Sequence, residues 1–301
     1  MSINTKNNLN GWILIDKPLN VGSTQVVSQL KWAISPQKIG HAGTLDPLAT
    51  GLLPIALGHA TKLIPFVMDG KKTYEFQITW GAETETDDKE GAFTQTTSNR
   101  PTKEDVEKIL PTFIGTINQL PPAYSAIKIG GKRAYDMARK GEEFSLRPRP
   151  VQIDGLSLLR FSDTSADFRV TCGKGTYVRS LGRDIGRALG CLGYISVLRR
   201  TACGPFHVKN ALPLTAFQEK NPPFRLIPIE EALGEVSQIR LPPLETKRLM
   251  QGQRLPIRQI ADFLHKTPDE LEILCLMENG RLKGLVQYQQ GVLHPYRIFS
   301  D

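Results

Sequence analysis

Apolar and polar residues alternate over residues 72–80, which predicts a β-strand with one buried face. That face comprises Tyr74, Phe76, Ile78 and Trp80. Shorter apolar runs predict further strands at residues 11–17, 156–161 and 168–172. The early part of the chain therefore has the material for a β-sheet.

Helical spacing of apolar residues predicts three helices between and after these strands. The first begins near Ser23 or Thr24, either of which can cap a helix N-terminus. The second begins after Thr102, with Asp105 placed to complete a capping box. The third follows Gly175 and buries Val178, Leu181, Ile185 and Leu189. Residues 115–150, rich in Pro, Gly and basic residues, are expected to form a partly helical excursion from the main body.

The last sixty or so residues have the pattern of a small β-rich module. Two predicted strands, residues 271–277 and 282–288, flank Asn279-Gly280, which is a strong hairpin signal. The proline-rich stretch 220–243 precedes this module and predicts a domain boundary.

The composition is typical of a soluble globular protein, with 40% hydrophobic and 23% charged residues among 301. No apolar run approaches the roughly 18 residues needed to cross a membrane, and the polar N-terminus lacks a signal-peptide core. The cysteines show no Cys-x-x-Cys spacing, which predicts buried free thiols and no zinc site. They are Cys172, Cys191, Cys203 and Cys275. We therefore expect a cytoplasmic protein without membrane association.

The formal net charge of +8 is gathered into two basic blocks. Residues 121–150 contain seven basic residues and three acidic ones, and residues 169–209 contain eight basic residues against Asp184 alone. A uniform scatter of charge would favour a merely solvated surface. Positive charge concentrated in this way is the electrostatic footprint of a protein that binds a polyanion, and nucleic acid is the partner it favours.

Residues 40–54, GHAGTLDPLATGLLP, place a single carboxylate, Asp46, among glycines and small residues. Pro47 disfavours a helical conformation at Asp46, so the aspartate is expected on a turn or extended backbone. By physics alone, a lone Asp before Pro is more often a turn former than a nucleophile. The whole string, however, resembles the catalytic signature of the TruB-type tRNA pseudouridine-55 synthases, in which the matching aspartate is the nucleophile.

Two further motifs extend the resemblance, KTYEF at residues 72–76 and GKGTYVRS at residues 173–180. The resemblance implies that Tyr74 stacks on the target uracil and can assist removal of the C5 proton. It implies that Arg179 pairs with the catalytic aspartate. The alternatives are a core role for Tyr74 and, for the arginines spaced by four residues, a solvated helix stripe. That stripe would comprise Arg179, Arg183 and Arg187.

The same resemblance implies substrate-binding roles for four more residues. His41 would contact RNA where the base has been flipped out, Tyr177 would share the pocket, and Leu198 would wall the base. A core aromatic and a buried leucine are the alternatives for the last two. Asp88 aligns with an acidic family residue in the aspartate–arginine network, but its neighbour Asp87 departs from the smaller residue expected there. Which of the two serves stays open, and a solvated acidic loop is the alternative for both.

The basic excursion at residues 121–150 matches the RNA-gripping insertion of this family, with Lys132 and Arg133 as candidate substrate-binding residues. The eight basic residues of 169–209 are candidates to hold phosphates beside the pocket. Lys17 matches a family motif near the active site and is expected to give structural support. No metal site is expected, because His41 lacks a second ligand at suitable spacing.

The fold implied by the resemblance is an α+β catalytic domain around a mixed, mainly antiparallel sheet, over residues 1–235. A PUA-like RNA-binding module would follow over residues 236–301. The function implied is isomerisation of uridine to pseudouridine at position 55 in the T-loop of tRNA, on a flipped-out base. We expect a monomer that needs no cofactor and no obligate protein partner, and that binds the tRNA T-loop and stem.

Two alternatives stay open. One is the RNA-guided relative of this family, which modifies ribosomal RNA within a multi-protein particle; the insertion at 121–150 favours the stand-alone form. The other is a tRNA-binding folding chaperone whose catalysis is dispensable. The intact catalytic motifs argue against a purely binding role.

Overall fold

A ten-stranded sheet and a five-stranded C-terminal sheet form the framework of the chain. The computed structural model describes residues 7–234, 236–261 and 267–299. Within these ranges the helices are α1 (Ser23–Ile34), α2 (Ile64–Asp69), α3 (Lys103–Ile109), α4 (Ala134–Arg139), α5 (Val178–Ala188) and α6 (Pro243–Met250). The strands are β1 (Gly11–Lys17), β2 (Ile39–His41), β3 (Ala49–Leu57), β4 (Lys72–Trp80), β5 (Ala82–Thr84), β6 (Phe93–Thr96), β7 (Gly115–Gln119), β8 (Lys128–Ile129), β9 (Lys132–Arg133), β10 (Arg149–Phe161), β11 (Ser165–Cys172), β12 (Gly193–Cys203), β13 (Phe206–His207), β14 (Leu212–Pro213), β15 (Gln238–Arg240), β16 (Leu255–Pro256), β17 (Ile273–Glu278), β18 (Arg281–Gln289) and β19 (Val292–Ile298).

The large sheet is mixed. Its strands follow the order β14-β1-β3-β12-β4-β11-β10-β7, with β13 paired to β12 and β2 paired to β3. The pairs β1–β14 and β3–β12 are parallel, whereas the other pairs are antiparallel. The expected α+β fold around a mixed, mainly antiparallel sheet is therefore confirmed.

Local sequence signals located several of these elements, whereas β3 and β12 in the middle of the large sheet were not predicted. The alternation over residues 72–80 is confirmed as β4, and the strand predicted at residues 11–17 is confirmed as β1. The two strands predicted between residues 156 and 172 extend further, as β10 and β11. The predicted capping box is present at α3, where Thr102 and Asp105 each accept a hydrogen bond from the other's backbone N–H.

The N-terminus of α1 differs from the prediction. Gly22 is the N-cap of this helix, and not Ser23 or Thr24. The Ser23 hydroxyl does not cap because it is bonded to both the N–H and the carbonyl of Leu45. Tertiary contact has thus overridden a local preference.

Between β7 and β10 the chain leaves the large sheet for residues 120–148, which we call the basic segment. It contains the short hairpin β8–β9 and helix α4. Arg149 already pairs with Gln119 across β10 and β7, so the excursion ends before residue 150. The exposed basic residues of this segment are Lys128, Lys132, Arg133, Arg139, Lys140 and Arg147.

The C-terminal sheet has the strand order β15-β17-β18-β19-β16. Its central strands β17 and β18 form the predicted hairpin. Asn279 and Gly280 both have positive φ, 52° and 73°, which is the combination that a type I′ turn requires. The predicted β-rich module is confirmed, and its PUA-like character stays a prediction.

One hydrophobic core extends across the junction between the two sheets. Trp12, Val67 and Phe206 from the first part of the chain lie in the same buried cluster as Leu285 and Phe299 from the last part. The two parts therefore share an interior, and the division at residue 235 stays a prediction.

All four cysteines are buried and free, as predicted. Among the residues that the structure describes, no helix is long and apolar enough to span a membrane.

Replacing Leu285 with alanine should lower the free energy of unfolding of the whole chain by about 2–5 kcal/mol, because it opens a cavity in the shared core. Urea denaturation followed by circular dichroism would measure this change. The matched control is Leu271→Ala, whose side chain is 55% exposed and which should change stability by less than about 0.5 kcal/mol. A separate C-terminal transition, with the rest of the unfolding curve unchanged, would contradict a shared core.

Candidate active site

The loop between β2 and β3, residues 42–48, carries Asp46 at the edge of a pocket. The loop is held at Leu45, whose N–H donates to Ser23 Oγ and whose carbonyl accepts from it, both at 2.9 Å. The N–H of Ala49 donates to the carbonyl of Asp46 at 3.0 Å, which closes a four-residue turn with Pro47 in its preferred position. Asp46 is therefore a turn former, and its side chain also lines the pocket.

Lys17 supports this loop from the end of β1. Its ammonium group is fully buried and donates to the carbonyls of Pro18 (3.0 Å), Val21 (2.7 Å) and Pro47 (3.3 Å). Burial lowers the pKa of Lys17 to about 8, while the nearby Asp46 carboxylate opposes the shift. These contacts agree with the supporting role predicted for Lys17.

Arg200 on β12 supports the loop from the other side. The residue is 1% exposed, and its guanidinium donates to the carbonyls of Gly43 (2.9 Å) and Leu52 (2.8 Å). Next to it, Gly51 has a φ of +98°, and a Cβ there would lie 2.3 Å from the Arg200 carbonyl oxygen. Both the side chain and the backbone of Arg200 therefore fix the course of the loop.

Arg179, at the start of α5, joins three separate segments of the chain. Its Nη2 lies 3.0 Å from Asp46 Oδ2 and donates to the Tyr124 carbonyl at 3.0 Å. Its Nη1 donates to the Thr86 carbonyl at 3.0 Å and lies 3.7 Å from Asp88 Oδ2. The Arg179 side chain is 10% exposed and that of Asp46 is 46% exposed. The structure thus brings together the two residues predicted to pair, with the carboxylate facing the opening.

The three arginines of α5 form a ladder of ion pairs with an acidic stretch, residues 83–88. The pairs are Arg179 with Asp88, Arg183 with Asp87, and Arg187 with Glu83. All three acids and the first two arginines are less than 9% exposed. The solvated acidic loop is therefore wrong, and so is the solvated helix stripe at Arg179 and Arg183, because these opposite charges bury each other. The Arg187 side chain, in contrast, is 54% exposed.

Asp88 is the acid that faces Arg179, which resolves the choice between the two neighbours geometrically. Its Oδ1 accepts hydrogen bonds from Thr86 Oγ1 at 2.5 Å and from the N–H of Glu90 at 3.0 Å. These bonds orient its Oδ2 towards the guanidinium. Asp87 points to Arg183 instead, at 2.9 Å.

The pocket lies between the loop, α5 and β12. Its lining includes four of the predicted site residues, Asp46, Arg179, Asp88 and Leu198, together with Leu48, Ala49, Ile195 and Ser196. Tyr74 is not part of this lining. It lies on β4 as the cross-strand partner of Arg200, and burial raises its pKa while the charge of Arg200 opposes the shift.

Tyr177 and His41 lie on two sides of the site. The backbone N–H and carbonyl of Tyr177 are both bonded to the buried side chain of Gln119, at 2.8 and 3.1 Å. Burial raises the pKa of the Tyr177 hydroxyl. Burial, and after it the charge of Arg200, lowers the pKa of His41, so this imidazole is neutral at pH 7 and is not a cation for a phosphate.

The two candidate residues of the basic segment are not part of the pocket. Lys132 and Arg133 form the exposed strand β9; Lys132 lies 3.3 Å from Glu142, and Arg133 donates to the Tyr135 hydroxyl at 3.2 Å. The second basic block differs from the expectation, because several of its arginines are buried or paired. Arg200 binds backbone carbonyls, and Arg169, Arg179, Arg183, Arg187 and Arg199 pair with acids. Arg179, Arg183 and Arg200 are therefore not open to phosphate, whereas Lys174 and Lys209 are exposed. A phosphate-binding role for the rest of the block stays a prediction.

Sequence reasoning missed the residues that hold the site from behind. Arg200 is one of the eight basic residues expected to hold phosphates, but its guanidinium is buried against the carbonyls of Leu52 and Gly43. No strand is predicted over residues 193–203, so no alternation indicates that its side chain points inwards. Nothing in the sequence marks Gln119 or Tyr124 as part of the site. The Gln119 side chain binds the backbone of Tyr177, and Tyr124 contributes only its backbone carbonyl. A charged residue inside an apolar strand was the one available clue to Arg200.

Among the described residues, no three His, Cys, Asp or Glu side chains lie close enough together to hold a metal ion. The chemistry available to this pocket is that of a half-exposed carboxylate beside a fixed guanidinium.

Models of two protein domains match adjacent parts of the chain. The model for the TruB family pseudouridylate synthases (N-terminal domain) matches residues 31–178. The model for the tRNA pseudouridylate synthase B C-terminal domain matches residues 179–233.

Curated relatives are similar over nearly the whole chain. The chain is 45% identical to the tRNA pseudouridine synthase B of Nitrobacter winogradskyi, over 98% of this chain and 84% of that protein. It is 45% identical to the protein of the same name from Rhizobium etli, over 97% of this chain and 96% of that protein.

Two solved structures share the fold. One is a chain of an H/ACA RNP bound to a substrate RNA containing 2′-deoxyuridine, with a TM-score of 0.74 and 21% identity over 97% of this chain and 85% of that chain. The other is a chain of a Cbf5-Nop10-Gar1 complex, with a TM-score of 0.73 and 23% identity over 96% of this chain and 85% of that chain.

Between pH 8 and pH 10, wild-type protein should gain stability relative to a Lys17→Met variant. The unfolded chain keeps the Lys17 proton up to the ordinary pKa of 10.5, whereas the folded chain releases it near pH 8. The unfolded state therefore binds more protons in this interval, and stability rises with pH. Urea denaturation at a series of pH values measures the difference, with the exposed Lys31→Met as control. Parallel curves for wild type and Lys17→Met would mean that the buried lysine keeps its ordinary pKa.

Proposed function

The chain belongs to the TruB family of pseudouridylate synthases, and from this premise we propose that it converts uridine to pseudouridine at position 55 in the T-loop of tRNA. The observation that carries the proposal is the contact of Asp46 with Arg179 at the mouth of a pocket walled by Leu198. A carboxylate held by a fixed cation, with one face open, is what this isomerisation requires of a protein.

The reaction moves one bond and needs no oxidant or cosubstrate. The N1–C1′ bond breaks, the detached uracil turns, C5 joins C1′, and the C5 proton is lost while N1 gains one. Asp46 either attacks carbon covalently or stabilises the positive charge that develops on the sugar. Its Oδ2 is engaged by Arg179, and no described residue donates a hydrogen bond to Oδ1. We assign Oδ1 as the oxygen that approaches the sugar.

Tyr74 is proposed to stack on the target uracil. Because its pKa is raised by burial, the side chain is a neutral phenol at physiological pH. It is therefore better suited to packing and to hydrogen bonding than to removing the C5 proton as a phenolate.

The substrate base must leave the stack of folded RNA to enter the pocket. We assign His41 to the contact with RNA beside the extruded base, and Tyr177 and Leu198 to the pocket walls. Lys132 and Arg133 of the basic segment would grip phosphates of the T-loop and stem. RNA of this kind is recognised through shape and backbone contacts, which suits an exposed basic hairpin.

We propose that the protein acts in the cytoplasm as a monomer, without an obligate protein partner. The alternative is the RNA-guided relative of the family, which works within a multi-protein particle; the two structural neighbours come from an H/ACA RNP and from a Cbf5-Nop10-Gar1 complex. The chain's own basic segment and the names of its relatives at 45% identity support the stand-alone form.

The decisive experiment is release of tritium from tRNA labelled at C5 of uridine, since mere binding cannot break the C5–H bond. Wild-type protein should release tritium, and Asp46→Asn should reduce the single-turnover rate by more than about a thousandfold with tRNA affinity little changed, because the amide lacks charge and nucleophilicity. A variant that kept a tenth of the wild-type rate would exclude Asp46 as the nucleophile. A wild-type protein that binds tRNA without releasing tritium would support the chaperone alternative.

Replacing Lys132, Arg133, Arg139 and Lys140 together with alanine should weaken tRNA binding and flatten its salt dependence. Each lost phosphate contact should reduce the slope of log affinity against log salt by about 0.7–0.9. The single-turnover rate at saturating tRNA should fall far less, because phosphate contacts position the substrate without making bonds.

A charge-matched control replaces four exposed lysines outside the basic segment. These are Lys31, Lys38, Lys103 and Lys108. Affinity measured across a salt series separates the two variants. If both variants lost the same tRNA affinity, the basic segment would act only through the net charge of the protein. If neither variant lost affinity, tRNA would bind at another surface.

A further inference from the structure

Asp87 is buried next to the site and forms an ion pair with a buried arginine of α5. Its Oδ2 lies 2.9 Å from Arg183 Nη1, and the two side chains are 9% and 8% exposed. Asp87 also has a left-handed backbone, with φ of 60°, and its carbonyl accepts from the N–H of Ile195 at 3.1 Å. A charged residue in a strained, buried position implies that the surrounding contacts need it there.

Arg183 uses its remaining donors on the root of the basic segment and on its own helix. Its Nη2 donates to the Leu120 carbonyl at 2.8 Å, and its Nε donates to Asp184 Oδ1 at 2.9 Å. Leu120 is the first residue after β7, where the chain leaves the sheet. Arg183 therefore joins the acidic stretch to the point from which the basic segment departs.

The last residue of β7 and the first residues of the basic segment, 119–125 together, form the root, which contacts the N-cap and the first half of α5 at three places. Gln119 binds the backbone of Tyr177, Leu120 accepts from Arg183, and Tyr124 accepts from Arg179. The last contact is made by the same Nη2 that contacts Asp46. The position of the root and the position of the guanidinium beside Asp46 are thus linked through shared hydrogen bonds.

Asp87 and Arg183 form a buried ion pair, in which either charge without the other would destabilise the folded protein. Removing one member of a buried ion pair leaves the other uncompensated, which destabilises more than removing both. Burial raises the pKa of Asp87 to about 6, with Arg183 opposing the shift, so the carboxylate is mostly ionised at neutral pH. The pair therefore persists as a charged unit under physiological conditions.

We propose that Asp87 and Arg183 are positioning residues, which hold the root of the basic segment and the Asp88 stretch against α5 so that Arg179 is placed beside Asp46. The inference rests on the proposed function, since it concerns the arginine assigned to the nucleophile. It adds a coupling: RNA bound by the basic segment is connected through residues 119–125 to the group that orients the catalytic carboxylate.

The test compares Arg183→Met with Arg187→Met. Arg187 lies one turn further along α5, pairs with the buried Glu83, and makes no hydrogen bond to the root. Both variants lose one guanidinium and leave one buried carboxylate. Arg183→Met should lower the single-turnover rate at saturating tRNA by about tenfold to a hundredfold, because small misplacement of a catalytic group has effects of that size. Arg187→Met should stay within about twofold of wild type.

Backbone amide exchange of residues 119–127 gives a readout that does not depend on activity. In free protein it should accelerate in Arg183→Met and stay unchanged in Arg187→Met, because only the former releases the root. Failure of wild-type protein to release tritium would overturn the proposed function, whereas unchanged exchange in Arg183→Met would overturn the positioning pair. The two failures are therefore distinguishable.

A double variant, Asp87→Asn with Arg183→Met, guards against a simple loss of stability. Asparagine tolerates the left-handed backbone, and removal of both charges should restore most of the melting temperature lost in Arg183→Met. The single-turnover rate should stay low, because the Leu120 carbonyl is still without its donor. Recovery of the rate together with stability would mean that the pair acts only on folding.

Discussion

The site depends on one buried guanidinium that several parts of the chain must share. Arg179 cannot lose its charge inside a protein, and it is surrounded by Asp46, Asp88 and the carbonyls of Thr86 and Tyr124. These acceptors come from three stretches that are far apart in sequence. Folding brings them together because a buried cation without partners would be severely destabilising. The need to compensate the buried charge of Arg179 therefore determines which segments of the chain meet at the pocket.

Two other buried basic residues, Lys17 at the end of β1 and Arg200 on β12, support the loop that carries Asp46. Lys17 and Arg200 are almost completely buried, and their partners are mainly backbone carbonyls of the loop and its flanks. Because these hydrogen bonds end on backbone carbonyls and not on side chains, each one fixes the path of the main chain directly. The loop can therefore be rich in glycine and still hold the carboxylate in one place, which is the arrangement that precise chemistry requires.

The predictable part of this structure is the part encoded by neighbouring residues. The capping box at Thr102 and the turn at Asn279-Gly280 are local, and periodicity located β4. Asp46 was identified through a long motif, not through physics, since the turn it forms is ordinary. What escaped prediction depends on tertiary contact. The Tyr124 carbonyl has no side-chain signature, and Arg200 cannot be told from the other members of its basic block until its backbone partners are known. The arginines of α5 also show a limit of sequence patterns. Arginines spaced by four residues have the same sequence pattern whether they face water or pair with acidic residues.

Trp12 and two of the residues that share its core are separated by most of the length of this sequence, so they are synthesised at different times. Leu285 and Phe299 lie in the same buried cluster as Trp12, so β1 cannot be fully covered until the C-terminal sheet has been synthesised. At about 5–20 residues per second, that interval is on the order of 15–60 s. During that time the nascent chain presents an apolar face of its large sheet, which makes the growing polypeptide, and not the finished protein, the form most exposed to aggregation and most suited to capture by chaperones.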